Sequence, residues 1–223
     1  MSTDHEMPES ASHKILIDAL TADLVPVRRL PAPLWRAAFW LGVVAAFAVG
    51  LYLAFDISVL LVHFEHMPET RVALAGAVLS TVLGAIAVFQ LSLPDRSPRW
   101  ALLPLPGLAL WLGASGLGCL NQLAIIPEMR WYTLLEAPGC FVYIVGLSLP
   151  LSTLLIFMLR RGYTLHPGIT SIAGGVTVAA ASSSLLYIFH PFDATGTDIL
   201  VHILAIAVVV GVNRWFGGRL LNR

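Results

Sequence analysis

Imidazole and carboxylate side chains gather at three places where long apolar runs end. His63, Glu65, His66 and Glu69 follow the first run, His190 and Asp193 follow the fifth, and Asp198 and His202 stand four residues apart at the head of the sixth. Imidazole with carboxylate is the donor set that zinc and similar divalent ions take. His63, His66, His190, Asp198 and His202 are therefore the candidate metal-binding or proton-sensing residues. A plainer reading competes with it. An Asp and a His one turn apart at a helix start can bond to each other and to water, with Asp198 favoured by the positive end of the helix dipole.

The elements that must position these residues are defined by hydropathy. A helix needs about 20 mainly apolar residues to cross the hydrocarbon of a bilayer, and roughly 37–55, 72–92, 101–126, 140–159, 168–189 and 198–216 qualify. Only 12% of the residues are charged, half of what a soluble domain carries at about 25%. The expected fold is thus all-α and polytopic, with six transmembrane helices and a short N-terminal helix. Residues 1–34 form a cytoplasmic tail, 35–219 the six-helix domain embedded in the lipid bilayer, and 220–223 a cytoplasmic end. Of the 13 Lys and Arg residues, all but Arg71 and Arg130 fall on the side of the termini. Basic residues near short loops stay in the cytoplasm, so both termini are expected there. A net charge of zero supplies no footprint for nucleic acid.

Residues 1–12 are polar and acidic, with no basic region before the first apolar run, so no cleaved leader is expected. From His13 to Val25, Leu16, Ile17, Leu20 and Leu24 recur at helical spacing, with Lys14, Asp18 and Thr21 on another side. Pro26 ends that helix. At this length it is marginal alone, and its acidic flanks disfavour an anionic lipid surface, which such helices meet with Lys or Arg. A protein groove is the better match, the alternative being a solvated stub that folds back on the loops. Trp35, Arg36 and Trp40 read as anchors at the inner interface.

The run Ile17-Asp18-Ala19-Leu20-Thr21-Ala22-Asp23-Leu24-Val25-Pro26-Val27-Arg28-Arg29-Leu30, at the head of a six-span chain, resembles the NrsF family of bacterial membrane anti-sigma factors. Cys140-Phe141-Val142-Tyr143-Ile144, Leu159-Arg160-Arg161-Gly162 with Pro167 after it, and Gly174-Gly175 extend the resemblance over about residues 15–220. The resemblance implies a tail that holds an extracytoplasmic-function sigma factor inactive at the inner membrane, and outward-facing elements that release it under stress. Ile17, Leu20 and Leu24 would be its apolar anchors, and Asp18, Asp23, Arg28 and Arg29 would set partner choice. No cofactor and no catalysis are expected. The resemblance also implies sensing by two cysteines, at the start of the fourth span and just after the fifth. Cys140 matches the first, but Phe189 to Asp193 contains no cysteine. The other cysteine, Cys119, falls in the outer half of the third span, about 10 Å below its end. A disulfide needs Cα atoms within about 7 Å, so packing is the plainer role for Cys119.

Two other classes stand beside this one. Gly113-Ala114-Ser115-Gly116 matches the serine motif of rhomboid-type intramembrane proteases, with His202 in the last span, but the serine is in the wrong span and no Trp-Arg motif marks the first loop. Gly113, Ser115, Gly116 and Gly118 read better as a helix-packing face, as do Gly76, Ser80 and Gly84, and Gly174, Gly175 and Ser182 to Ser184. A transporter subunit would need polar groups at mid-depth, where almost none occur; a membrane metal or redox sensor without sigma-factor binding is the other alternative. Pro104, Pro106, Pro127, Pro138 and Pro150 lead to the expectation of an irregular, hinge-like middle hairpin.

Overall fold

The computed structural model describes residues 9–22, 30–55, 58, 68–125, 133–162, 164–188, 203–204 and 207–216. Among them the chain is all-helical. The helices are α1 (Glu9–Ala22), α2 (Pro33–Ala54), α3 (Pro68–Leu91), α4 (Leu105–Ile125), α5 (Thr133–Leu159) and α6 (Pro167–Leu186), with a 3-10 turn at Pro98–Leu102 between α3 and α4. The last described helix, α7, is Ala207–Phe216. Two compact units divide the chain, Met1–Leu30 and Pro31–Arg223; α1 belongs to the first and all other helices to the second.

Proline opens α2, α3 and α6, where its missing N–H has no helical partner to lose and its fixed φ suits the first turn. Among the described residues five helices are long and apolar enough to cross a membrane: α2, α3, α6, the turn with α4, and α5 from Val142. The sixth expected span is described as an apolar helix only over Ala207–Phe216. Further differences from the sequence reading concern boundaries. The helix α1 starts at Glu9, four residues before the expected His13, and α5 starts at Thr133, seven before the expected 140. Helix α5 also runs on through Pro138 and Pro150 as one element, and Pro106 sits in the first turn of α4, where proline costs little. In the described part of this hairpin the expected irregularity is confined to its start, where the 3-10 turn and the turn at Leu103 and Pro104 precede α4; Pro127 lies outside the described residues.

The second unit is packed in the manner of a membrane bundle. Large aliphatic and aromatic residues such as Val49, Leu53, Leu112, Leu120 and Leu149 are exposed, whereas the buried residues of α6 are Gly, Ala, Ser or Thr except for Val178, Leu185 and Leu186. Lipid tails are as apolar as leucine, so helices in a bilayer gain by close backbone approach at small residues. A Cβ built on Gly76 would lie 2.5 Å from Trp111 N, and one on Gly107 would lie 2.5 Å from Ser80 N. The backbones of α3 and α4 thus touch in an antiparallel crossing. Gly84 faces the Thr177 side chain, and a Cβ on Gly175 would be 2.7 Å from Val210 Cα, which brings α3 and α7 against α6. Two interior hydroxyls bond to their own helix, Thr81 Oγ1 to Ala77 O at 2.8 Å and Thr177 Oγ1 to Ala173 O at 2.7 Å, so these two threonines enter the core with their polar group satisfied.

The packing roles of Gly76, Ser80, Gly84, Gly174 and Gly175 agree with the sequence reading. That of Gly113 and Gly116 does not. Among the described residues nothing lies within 4 Å of a Cβ at either position; α4 turns a different face to α3, and Gly107 makes the approach instead.

Candidate functional site

In the first unit, α1 exposes its apolar residues. Ile15, Leu16, Ile17 and Leu20 are 58–66% exposed, with Asp18 and Lys14 also exposed. Leu16, Ile17 and Leu20 follow the i, i+1, i+4 spacing that sets side chains along one stripe. The Thr21 hydroxyl donates to Ile17 O at 2.9 Å and lies 3.2 Å from Asp18 O, so its polar group is satisfied within the helix. What remains outward is a short apolar strip bordered by charge, a surface that can bury against an apolar groove. Asp23, Leu24, Arg28 and Arg29 lie outside the described residues.

In the second unit a polar junction forms at the end of the bundle where α2 begins. Arg36 is 6% exposed. Its Nη1 donates to Ser92 Oγ at 3.0 Å, its Nη2 donates to Met158 O, and its guanidinium stacks 4.9 Å from the centroid of the Phe89 ring. Met158 O belongs to the last turn of α5, whose carbonyls have no helical donor, and a cation there also meets the negative end of the helix dipole. Ser92 Oγ in turn donates to Phe89 O at 2.7 Å. A second clasp lies beside it: Thr164 Oγ1 donates to Leu91 O, the last carbonyl of α3, at 3.0 Å and lies 3.0 Å from Thr170 Oγ1. Gly162 fits between, since a Cβ there would lie 2.8 Å from Ser92 O. Four helices, α2, α3, α5 and α6, are tied together at this bundle end by these contacts.

Arg36 and Trp40 were expected as interfacial anchors, and the structure corrects this: both are buried, Trp40 Nε1 donating to Leu151 O at 3.3 Å. Trp35, 75% exposed, keeps the outward position. Burial of Arg36 and Trp40 has a signal in their i, i+4 spacing, but their partners carry none.

Of the proposed sensing residues, the backbone places Cys119 six residues before the end of α4 and Cys140 seven after the start of α5. Each is therefore about 10 Å along its helix from the end nearer the connection at 126–132. Cys140 was expected at a helix boundary; the earlier start of α5 moves it two turns inside. His63, His66, His190, Asp198 and His202 all lie outside the described residues, and the described residues contain no group of three His, Cys, Asp or Glu placed to hold a metal ion. Ser115 of the protease-like motif is half-buried on α4, and His202 is outside the described residues.

A comparison with protein families finds that the family described as "NrsF: Negative regulator of sigma F" matches residues 20–222. No curated protein and no solved structure matches the chain.

Proposed function

Because the chain belongs to the NrsF family, a family of negative regulators of a sigma factor, we propose that it is an inner-membrane anti-sigma factor whose tail sequesters an extracytoplasmic-function sigma factor and releases it on an envelope, redox or metal stress. The observation that carries this reading is the exposed apolar strip of α1. A 14-residue helix is marginal in isolation, and burying Ile17, Leu20 and Leu24 in a partner's groove supplies what it lacks. Each fully buried aliphatic side chain of this size contributes about 1.5–3 kcal/mol. Asp18, Asp23, Arg28 and Arg29 would border the strip and select the partner.

The proposed topology has six spans and both termini in the cytoplasm. It is supported by the collection of Arg36, Arg96, Arg99, Arg160, Arg161 and Arg214 at the helix ends on one side of the sequence's alternation. Signal entry is assigned to the opposite side, with Cys140 and Cys119 first and the His63, His66, His190, Asp198 and His202 set second.

The reading is tested on the full-length chain purified from membranes together with the sigma factors of its own cell. Retention of one extracytoplasmic-function sigma factor by the unaltered chain, lost at least tenfold in the Leu20→Asp/Leu24→Asp double variant while membrane insertion persists, is the expected result. Equal retention by both would remove the tail from the binding site, and retention of no sigma factor would overturn the function.

A further inference from the structure

We propose that the groove between α5 and α7 is a binding site for an anionic phospholipid, with an acyl chain along the groove and the headgroup phosphate at Arg160. The proposal rests on the placement of these helices in a bilayer. A cavity of about 380 Å³ runs from Val145 to Arg160 and is walled by Leu149, Ile156 and Phe157 on α5 and by Val208 and Val212 on α7. Fifteen residues of helix cover about 22 Å, enough to accompany a chain through one leaflet of about 15 Å.

The polar groups along this wall are already used within the protein. Ser148 Oγ is 2.9 Å from Ser182 Oγ of α6, and Asn213 Nδ2 donates to Ser152 Oγ at 2.9 Å and to Val209 O at 2.8 Å. These bonds, with the close approach of Gly175 to Val210, fix α7 beside α5 and leave carbon facing the groove. Charge appears at one end only. Arg160, exposed, is the charged residue of the lining, and the next residue, Arg161, holds its guanidinium 5.4 Å from the centroid of the Phe157 ring, itself part of the wall. Two cations at the mouth of an apolar slot match a phosphate above an acyl chain. A second copy of this chain matches less well: copies in one membrane share an orientation, so a two-fold contact along this groove would bring Arg160 and Arg161 towards their own counterparts.

The experiment titrates the full chain, in mild detergent, with phosphatidylglycerol or phosphatidylethanolamine of identical acyl chains, and counts bound lipid by native mass spectrometry. Phosphatidylglycerol is expected to bind about fivefold to tenfold more tightly, since a basic residue near an anionic headgroup contributes on the order of a fivefold preference. Arg160→Ala should remove most of that preference and Arg160→Lys should keep it. Val212→Trp, which fills the slot, should weaken both lipids alike. Equal binding of the two lipids, or full binding to Val212→Trp, would overturn the proposal, as would a dimer that Val212→Trp dissociates. Alkaline carbonate washing of membranes separates the two levels. A chain released by the wash overturns the bilayer placement and the groove with it, whereas a retained chain without lipid preference overturns the groove alone.

Discussion

Arg36 joins three segments that are remote in sequence, because its two Nη atoms reach Ser92, 56 residues away, and Met158, 122 residues away. Charge alone does not explain the choice of arginine there. The planar fork offers several donors in fixed directions, which an ammonium cannot reproduce. Arg36→Lys is therefore expected to lose one of the two bonds, and Arg36→Ala to leave Met158 O and Ser92 Oγ without their donor. A hydrogen bond from a charged group contributes about 1.5–3 kcal/mol, so Arg36→Ala should destabilise the bundle by about 2–4 kcal/mol and Arg36→Lys by less, read as thermal unfolding in detergent. Gly162→Ala tests the neighbouring clasp: a Cβ would lie 2.8 Å from Ser92 O, and relieving that overlap should cost about 1–3 kcal/mol. Neither role was legible in the sequence. An Arg beside two Trp residues at the start of an apolar run has the composition of an interfacial anchor, and only the fold brings the partners that bury it. Gly162 stood within a motif of the family resemblance, yet its reason, a carbonyl too close to admit a Cβ, belongs to a turn 70 residues earlier.

At the level of elements, the apolar runs could be read to within a few residues because a bilayer imposes length and hydropathy directly, as the agreement of α3 with the expected 72–92 shows. The rotation of each helix about its axis was harder. In α4 the sequence offers Gly107, Gly113, Gly116 and Gly118, and which of them meets a neighbour depends on where α3 lies. The structure selects Gly107, whose absent side chain admits Ser80, in reciprocity with Gly76 and Trp111. Opposite effects follow for two substitutions in one helix. Gly107→Val must push backbone away from backbone and should destabilise by at least about 1–3 kcal/mol. Gly113→Ala, open on that side and with no positive φ, should stabilise by about 0.5–1 kcal/mol through the helix preference of alanine. Measured unfolding of the two variants checks the crossing; equal effects would mean that α3 and α4 meet on another face.

For the whole molecule, the question is how often the chain crosses, and α7 bears on it through its direction. Its Val210 lies against Gly175 of α6, and its Asn213 donates to Ser152, seven residues before the end of α5. Following α7 from 207 to 216 therefore leads to the same bundle end as Leu159 and Arg36, which is also where Arg214 is carried. A helix that arrives there after α6 has left it is what the proposed sixth crossing requires, and the basic residues of the described part of the second unit, Arg71 apart, then share one end. By the positive-inside bias, that end is the one the proposed topology puts in the cytoplasm. Single cysteines in a Cys119→Ala/Cys140→Ala background test this with an impermeant maleimide. Ser97→Cys, at an exposed position beside Arg96 and Arg99, should label only after cells are permeabilised, as should Asn222→Cys, while Thr195→Cys should label in intact cells. Labelling of Asn222→Cys from outside would leave five crossings and separate the two ends of the chain. Labelling of Ser97→Cys from outside would invert the bundle, and a tail on that face could not meet a sigma factor at all.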